Sequence, residues 1–343
     1  DLLVVGRFGS TSGLSGVSTG SQVLNLVTFV VTQLAMGITV LIARYLGEKR
    51  EDQIGSIIGG GTVVFAAISL VLFVIMVGFA RPIAVLMQAP EEAVGLTAAY
   101  IRICGAGIFF IVAYNVLSAI FRGLGDSNSP LLFVFVACIV NVVGDLVLVA
   151  GLGMDAMGAA LATVFAQALS VVFAIVRLVK KGLPFTITGY DFRLNPQCGK
   201  FLQIGLPLAL QECLTQGSFL ALCAFVNRLG LEASSGYGVA CKIVNFAMLI
   251  PGALMQSTSS FVSQNVGAGE QKRAKKTMFT GIGIGLLVGC FAFSLVFFRG
   301  DLLAGIFSAD AAVVQRGYEY LKGFAPETLL TAVLFSMMGY FNG

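Results

Sequence analysis

The chain alternates long uncharged apolar stretches with short polar ones, which is the pattern of helices that cross a membrane. Uncharged runs occupy residues 8–43, 53–80, 156–176, 243–269 and 277–298. About 20 helical residues, each rising 1.5 Å, cross a hydrocarbon layer about 30 Å thick. Transmembrane β-strands instead alternate apolar and polar positions over about ten residues, so these runs argue against a β-barrel.

The runs and their polar boundaries predict one short helix, which ends near Val5, followed by nine longer helices. The longer helices are predicted at 14–43, 54–80, 93–121, 130–153, 156–180, 198–228, 236–264, 274–299 and 312–342. The fold class is therefore all-α, with about ten transmembrane helices in this chain.

Composition supports an integral membrane protein and leaves little basis for an enzyme. Hydrophobic residues make up 57% of the 343 residues and charged residues only 11%, whereas a soluble domain is about 25% charged. The absence of histidine excludes histidine metal sites and histidine proton relays. Since the sequence also has no phosphate-binding loop, catalytic triad or metal-ligand cluster, we expect no catalytic residues, no cofactor and no bound metal.

An internal repeat with an offset of 220 residues predicts how the helices are organised. Tyr100-Ile-Arg corresponds to Tyr320-Leu-Lys, and Phe121-Arg-Gly corresponds to Phe341-Asn-Gly. Repeated helical bundles are a common build of secondary transporters. We expect an N-terminal lobe at 1–180, a polar inter-lobe linker at 181–199 and a C-terminal lobe at 200–343.

The distribution of basic residues predicts which loops face the cytoplasm. The loops after the second, fourth, sixth and eighth predicted helices hold 13 of the 21 Lys and Arg residues, and the opposite loops hold 5. Short loops rich in Lys and Arg mark the cytoplasmic side. The net charge of +4 thus reflects topology, and we expect no nucleic-acid partner.

Asp145 is the residue most indicative of function, because it interrupts an otherwise uncharged stretch at 127–154. Asn141 stands one helical turn earlier on the same face. A carboxylate in mid-span costs on the order of 2.5–3.5 kcal/mol and usually faces the bundle interior or a water-filled pathway. Asp145 could exchange a proton or bind a cation with Asn141; the alternative is a hydrogen-bonding clamp between helices.

Three further charged residues interrupt apolar spans and are secondary candidates. Glu212 is either a second titrating group in a cavity or an acid near the cytoplasmic surface. Glu327 follows Pro326, and Lys242 could pair with an acid or extend its chain to the surface. For Glu327 and Lys242 a structural role is the favoured interpretation.

Two loops resemble those of the multidrug and toxic compound extrusion (MATE) family. They are Phe121-Arg-Gly-Leu-Gly-Asp-Ser-Asn-Ser-Pro130 and Ser263-Gln-Asn-Val-Gly-Ala-Gly-Glu-Gln-Lys-Arg-Ala274, the latter with its first-half partner at 43–50. The resemblance implies a twelve-helix transporter with two six-helix lobes related by a pseudo-twofold axis in a V. This chain would then lack most of helix 1 and helices 11–12.

The same resemblance assigns candidate ion-coupling residues. Family members join an Asp on helix 1, an Asn-x-x-x-Asp on helix 5 and a Thr on helix 6 in the first lobe. Asp1, Asn141 and Asp145 match that pattern, and Thr163 lies in a suitable place on the sixth helix.

We therefore expect an antiporter that exports small organic, often cationic, compounds by alternating access, driven by H⁺ or Na⁺. It would be a monomer, surrounded by lipid, in a bacterial cell membrane. The alternative is a lipid-linked oligosaccharide flippase of related architecture, although such a protein should line its cavity with several basic residues and the spans offer chiefly Lys242.

Overall fold

The computed structural model describes residues 1–180, 188–227, 231–306 and 311–343, and over these residues the fold is helical, with no strand. One π-helical segment, Leu146–Gly151, continues α7, and one short 3-10 turn is at Gly189–Asp191. The α-helices are α1 Leu2–Phe8, α2 Thr11–Gly47, α3 Asp52–Gly78, α4 Ala80–Leu86, α5 Val94–Ala106, α6 Ile108–Gly123, α7 Asn128–Asp145, α8 Asp155–Lys180, α9 Pro196–Asn227, α10 Leu231–Gly267, α11 Gln271–Gly305 and α12 Ala311–Asn342.

These bounds confirm the all-α prediction, but one predicted helix is not continuous. The segment 93–121 forms α5 and α6, which bend by 54° at Gly107. Gly107 packs directly against the side chain of Val164, and a Cβ atom there would overlap it. The single-helix prediction was therefore wrong, because a tertiary contact with α8 fixes the break.

Among the described residues, seven helices are long and apolar enough to cross a membrane, and the count reaches eight if the bent pair of α5 and α6 is one span. The predicted number was about ten. α1 has only seven residues, and α9 is not among the qualifying helices over its described residues. Polar side chains at Gln203, Gln211, Glu212 and Gln216 lower the hydropathy of α9.

The contacts divide the chain into two compact units. The first comprises Asp1–Ile42 and Arg50–Glu212, and the second comprises Ala43–Lys49 and Cys213–Gly343. The candidate residues of helices α1, α7 and α8 all belong to the first unit. The described part of the predicted linker, 188–199, belongs to it as well; the remainder, 181–187, lies outside the described residues.

Within each unit the N-terminal ends of two helices pack at a glycine, and the two contacts are related by the 220-residue offset. A Cβ atom on Gly16 of α2 would lie 3.1 Å from Leu96 Cβ of α5. A Cβ atom on Gly236 of α10 would lie 2.7 Å from Arg316 Cβ of α12. The sequence repeat therefore corresponds to a repeat of packing contacts.

A second pair of equivalent contacts lies at the opposite helix ends. A Cβ atom on Gly123 would lie 2.9 Å from Ile42 Cβ, and one on Gly343 would lie 3.0 Å from Val262 Cβ. Small residues allow helix backbones to approach closely in membranes. The glycines thus set the spacing of equivalent helices in both units.

The polar segment before α9 is held against the beginning of α3 by side-chain hydrogen bonds. Ser56 Oγ donates to Asp191 Oδ1 at 2.8 Å, and Asn195 Nδ2 donates to the Ser56 carbonyl at 2.8 Å. Gln197 Nε2 donates to Gln53 Oε1 at 2.9 Å. The linker is therefore bonded to the first unit.

Two consecutive glycines of α3 allow this close approach. A Cβ atom on Gly59 would overlap the Asp191 carbonyl, and one on Gly60 would lie 2.6 Å from Cys198 Sγ. The sequence predicts close helix approach for these glycines, and the structure places the linker backbone and the start of α9 there.

Candidate ion-binding site

Close packing of α7 on α8 creates the candidate site. Gly144 faces Ala162, and a Cβ atom on Gly144 would lie only 2.9 Å from Ala162 Cβ. Because the backbones approach here, Asn141, nearly one turn before Gly144, faces Thr163 on α8. Asp145 directly follows Gly144 on α7.

Hydrogen bonds join three of the four residues that the sequence predicts, namely Asp1, Asn141 and Thr163. Asn141 Nδ2 donates to Thr163 Oγ1 at 3.3 Å, and Thr163 Oγ1 donates to Asp1 Oδ2 at 3.0 Å. Asp145 lies beside them, with its Oδ2 2.9 Å from the terminal amino nitrogen of Asp1, the first residue of the chain. Side chains from α7 and α8 and the residue preceding α1 thus form one polar cluster inside the first unit.

Asp145 is the most buried member of this cluster. Its side chain has an exposed fraction of 0%, and its Oδ1 accepts no hydrogen bond from the described residues. A buried carboxylate oxygen without a partner is costly. The oxygen is therefore available to a proton or a cation.

The backbone changes its helical form immediately after Asp145. Residues Leu146–Gly151 form a π-helical turn, and Gly158 of α8 packs against it, since a Cβ there would lie 3.2 Å from Leu148 Cβ. Short π segments inside helices are frequent at functional sites.

Tyr100 belongs to the same cluster, although its sequence context does not predict a role there. Its side chain is 1% exposed, and its hydroxyl donates to Asp1 Oδ2 at 3.4 Å. Gly20 provides the space, because a Cβ atom there would lie 3.0 Å from Tyr100 Cγ. The tyrosine does mark the internal repeat, but a tyrosine within an apolar helix usually indicates core packing.

The three secondary candidates lie on helices that do not contribute to these hydrogen bonds. Glu212 is half-buried on α9, at the end of the first unit. Lys242 is exposed on α10, and Glu327 is exposed on α12. The cluster itself joins α1, α5, α7 and α8.

The loop at 121–130 fixes the beginning of α7. Ser129 donates to Asp126 through its main-chain nitrogen at 3.1 Å and through its hydroxyl at 2.6 Å. Arg177 Nε of α8 donates to Ser129 Oγ at 2.7 Å. This loop therefore supports the packing of α7 on α8 and contributes no side chain to the cluster.

The chemistry available to the cluster is that of oxygen donors around a buried carboxylate. Carboxylate, amide and hydroxyl oxygens suit hard cations, and a carboxyl group can also carry a proton. Among the described residues no group of three His, Cys, Asp or Glu side chains could hold a metal ion.

The chain is similar to curated bacterial transport proteins along nearly its whole length. It is 25% identical to the probable multidrug resistance protein YoeA of Bacillus subtilis (strain 168) over 328 residues, covering 93% of this chain and 71% of that protein. It is 24% identical to the multidrug export protein MepA of Staphylococcus aureus (strain NCTC 8325 / PS 47), covering 99% of this chain and 75% of that protein.

A solved structure shares the fold. An outward-facing multidrug resistance MATE family transporter of the MOP superfamily matches with a TM-score of 0.92 and 21% identity, covering 100% of this chain and 77% of that one. The MatE family model matches residues 1–147 and 207–343, more than half of the chain. The chain therefore belongs to the MatE family.

Proposed function

We propose that this protein is an antiporter that exports small organic compounds in exchange for H⁺ or Na⁺ by alternating access. The observation that supports this proposal most directly is the buried Asp145 carboxylate, with an oxygen that accepts no hydrogen bond from the described residues. The names of its relatives, multidrug resistance and multidrug export proteins, support the substrate class.

Coupling requires that the ion and the substrate favour different conformations of the transporter. In our proposal an H⁺ or Na⁺ binds among Asp1, Asn141, Asp145 and Thr163. Occupancy changes the charge of a carboxylate that is isolated from solvent. A change of charge there alters the relative free energies of the conformations, and the ion gradient thereby drives substrate release.

We further infer the setting in which this cycle works. The relatives are bacterial, so we assign the protein to the bacterial cell membrane as a monomer, with its basic loops in the cytoplasm. The exported substrates would be organic cations, attracted by the acidic residues of the spans.

The test is transport of an organic cation such as ethidium by purified protein in lipid vesicles, driven separately by a pH gradient and by a Na⁺ gradient. We expect either the pH gradient or the Na⁺ gradient to move the dye against its own concentration gradient. Dye that only equilibrates, whichever gradient is imposed, would refute antiport.

The matching variant is Asp145→Asn, which keeps the shape of the side chain and removes the ionisable group. It should abolish gradient-driven transport while purified yield and the thermal unfolding temperature stay close to those of the unmodified protein. Asp301→Asn is the matched control, because Asp301 is an exposed acid on α11 and should transport normally. Full activity in Asp145→Asn would refute the assigned ion site.

A further inference from the structure

A cluster of four cations lies at the beginning of α11, in the second unit. Lys272, Arg273, Lys275 and Lys276 are all exposed, and none forms an ion pair with an acidic residue in the described part of the chain. Cations are unfavourable in the first turn of a helix, where the backbone carries partial positive charge. Helix stability therefore does not explain the cluster.

The cations continue into an apolar stripe on the same helix. Phe279 is 65% exposed, Leu287 76%, Phe291 70% and Phe298 64%. Steps of three, four, seven or eight residues keep side chains on one face of an α-helix. Lys272 and Lys276 share the face with Phe279, so the cations stand at the end of a stripe of exposed apolar side chains.

The equivalent face of the first unit is used differently. Ser56 of α3 donates a hydrogen bond to Asp191 of the linker, and Gly59 packs directly against the Asp191 carbonyl. At the 220-residue offset these positions are Lys276 and Phe279. Their side chains are too large for the backbone approach that the glycine allows, so this face is not built to dock a linker in the same way.

We propose that the beginning of α11 binds a phospholipid with an anionic headgroup. The four cations attract the net negative charge of the headgroup and contact its phosphate, and Phe279 packs beside the acyl chains. An acidic soluble protein would match the cations, but it would not match an apolar stripe that continues along the span. The lipid satisfies both parts of the surface.

The test uses the absence of tryptophan from the chain. Phe279→Trp introduces a single tryptophan beside the cations, and its fluorescence is measured in vesicles that contain brominated phosphatidylglycerol or brominated phosphatidylcholine in mixtures of identical composition. Attraction by even one cation near an anionic surface corresponds to about a fivefold preference. We expect quenching to favour brominated phosphatidylglycerol by at least about that factor.

Two comparisons separate charge from position. Changing Lys272, Arg273, Lys275 and Lys276 to Gln in the Phe279→Trp protein should make quenching by the two lipids nearly equal. Leu131→Trp is the matched control at the beginning of α7, because Leu131 is 68% exposed and a cation contacts the residues before it, Asn128–Pro130, only at Ser129, through Arg177, in the described part of the chain. It should show a clearly smaller preference than Phe279→Trp.

A measurement at high salt tests the same electrostatic attraction without the Gln variant. In about 1 M salt the screening length falls to about 3 Å, so the preference of Phe279→Trp should decrease with the cations intact. Equal quenching by both lipids at low salt would overturn the proposal. Quenching by neither lipid would overturn it as well, because a polypeptide would then cover this face.

Discussion

At the scale of single residues, the candidate site depends on the hydroxyl of Thr163. It accepts a hydrogen bond from Asn141 and donates one to Asp1, so it connects the amide on α7 to the carboxylate that precedes α1. Without the hydroxyl, the Asn141 amide nitrogen, which only donates, loses this acceptor. The Asp1 carboxylate, which only accepts when ionised, loses this donor.

Thr163→Val keeps the volume of the side chain and removes the hydroxyl. We expect gradient-driven transport to fall by at least about tenfold, because a hydrogen bond to a charged group contributes about 1.5–3 kcal/mol and 1.4 kcal/mol is a factor of ten. The measurement is the initial rate of dye transport in vesicles. Thr163→Ser retains the hydroxyl and should stay close to the unmodified rate; equal rates for Val and Ser would contradict the bridging role.

Sequence reasoning reached different members of the site by different routes. Asp145 interrupts an apolar stretch, and Asn141 follows from helical spacing, so both could be predicted from pattern alone. Asp1 and Thr163 needed the family resemblance, since each is ordinary in its local sequence. Tyr100 could not be predicted, because its role depends on the space that Gly20 leaves for the ring.

At the scale of elements, the linker is held by the Asp191 carboxylate, which accepts three hydrogen bonds. The Thr188 main-chain N–H donates to Asp191 Oδ2 at 2.8 Å, and its hydroxyl donates at the same distance. The N–H of Thr188, followed by the Ser56 hydroxyl and the Thr188 hydroxyl, lowers the pKa of Asp191 below its ordinary value. The bonds thus favour the ionised form.

Asp191→Asn should therefore loosen residues 188–197, because the neutral amide is a weaker acceptor and presents only one oxygen. The pH dependence has a defined sign. Since the folded-state pKa is lowered, the contribution is complete above the ordinary Asp pKa of about 3.9 and is lost as the pH falls through the folded value. Hydrogen exchange of the linker amides at neutral pH is the measurement, and we expect faster exchange in the variant.

Glu51→Gln is the control for this prediction, because it removes a charge next to the beginning of α3 without touching the hydrogen bonds of Asp191. Its linker exchange should match that of the unmodified protein. Unchanged exchange in Asp191→Asn would show that the glycine contacts hold the linker without the carboxylate.

The helices show which of their features follow from the local sequence and which follow from contacts with other helices. Long apolar runs were sufficient to predict where helices exist, because helix formation in a membrane is dictated by the need to pair every backbone group. The bend between α5 and α6 was not predictable, because glycine at position 107 is compatible with a straight helix. The break is decided by Val164 on another helix.

At the scale of the whole molecule, the two units repeat glycine packing contacts, but one polar contact of the first unit has no counterpart in the second. Thr32 Oγ1 donates to Asn115 Oδ1 at 2.7 Å in the first unit. The positions 220 residues later are Gly252 and Phe335, which cannot form that bond. Equivalent glycine contacts, by contrast, occur in both units.

Substitution of the equivalent glycines should therefore have equivalent effects. Gly16→Leu and Gly236→Leu each force a side chain into a packed helix contact, and overpacking costs about 1–3 kcal/mol. We expect both variants to lower the thermal unfolding temperature of the purified protein by several degrees.

Two other glycines provide the control, since a Cβ atom on Gly95 or Gly238 would meet no atom within 4 Å. In a helix, leucine is more favourable than glycine by an amount on the order of 1 kcal/mol. Gly95→Leu and Gly238→Leu should consequently be neutral or slightly stabilising. A large effect of Gly16→Leu with none of Gly236→Leu would mean that the equivalent contacts are not energetically equivalent.

The paired glycine contacts also have an evolutionary consequence. If one ancestral bundle was duplicated in tandem, both copies inherited the same helix spacing, and any bulky change at these glycines would have damaged whichever copy received it. Polar residues inside the bundle were under no such shared constraint. One copy could keep or acquire the hydrogen bond between Thr32 and Asn115 while the other diverged to Gly252 and Phe335, so duplication offers a route by which two bundles of equal helix spacing came to differ in their polar interiors within a single chain.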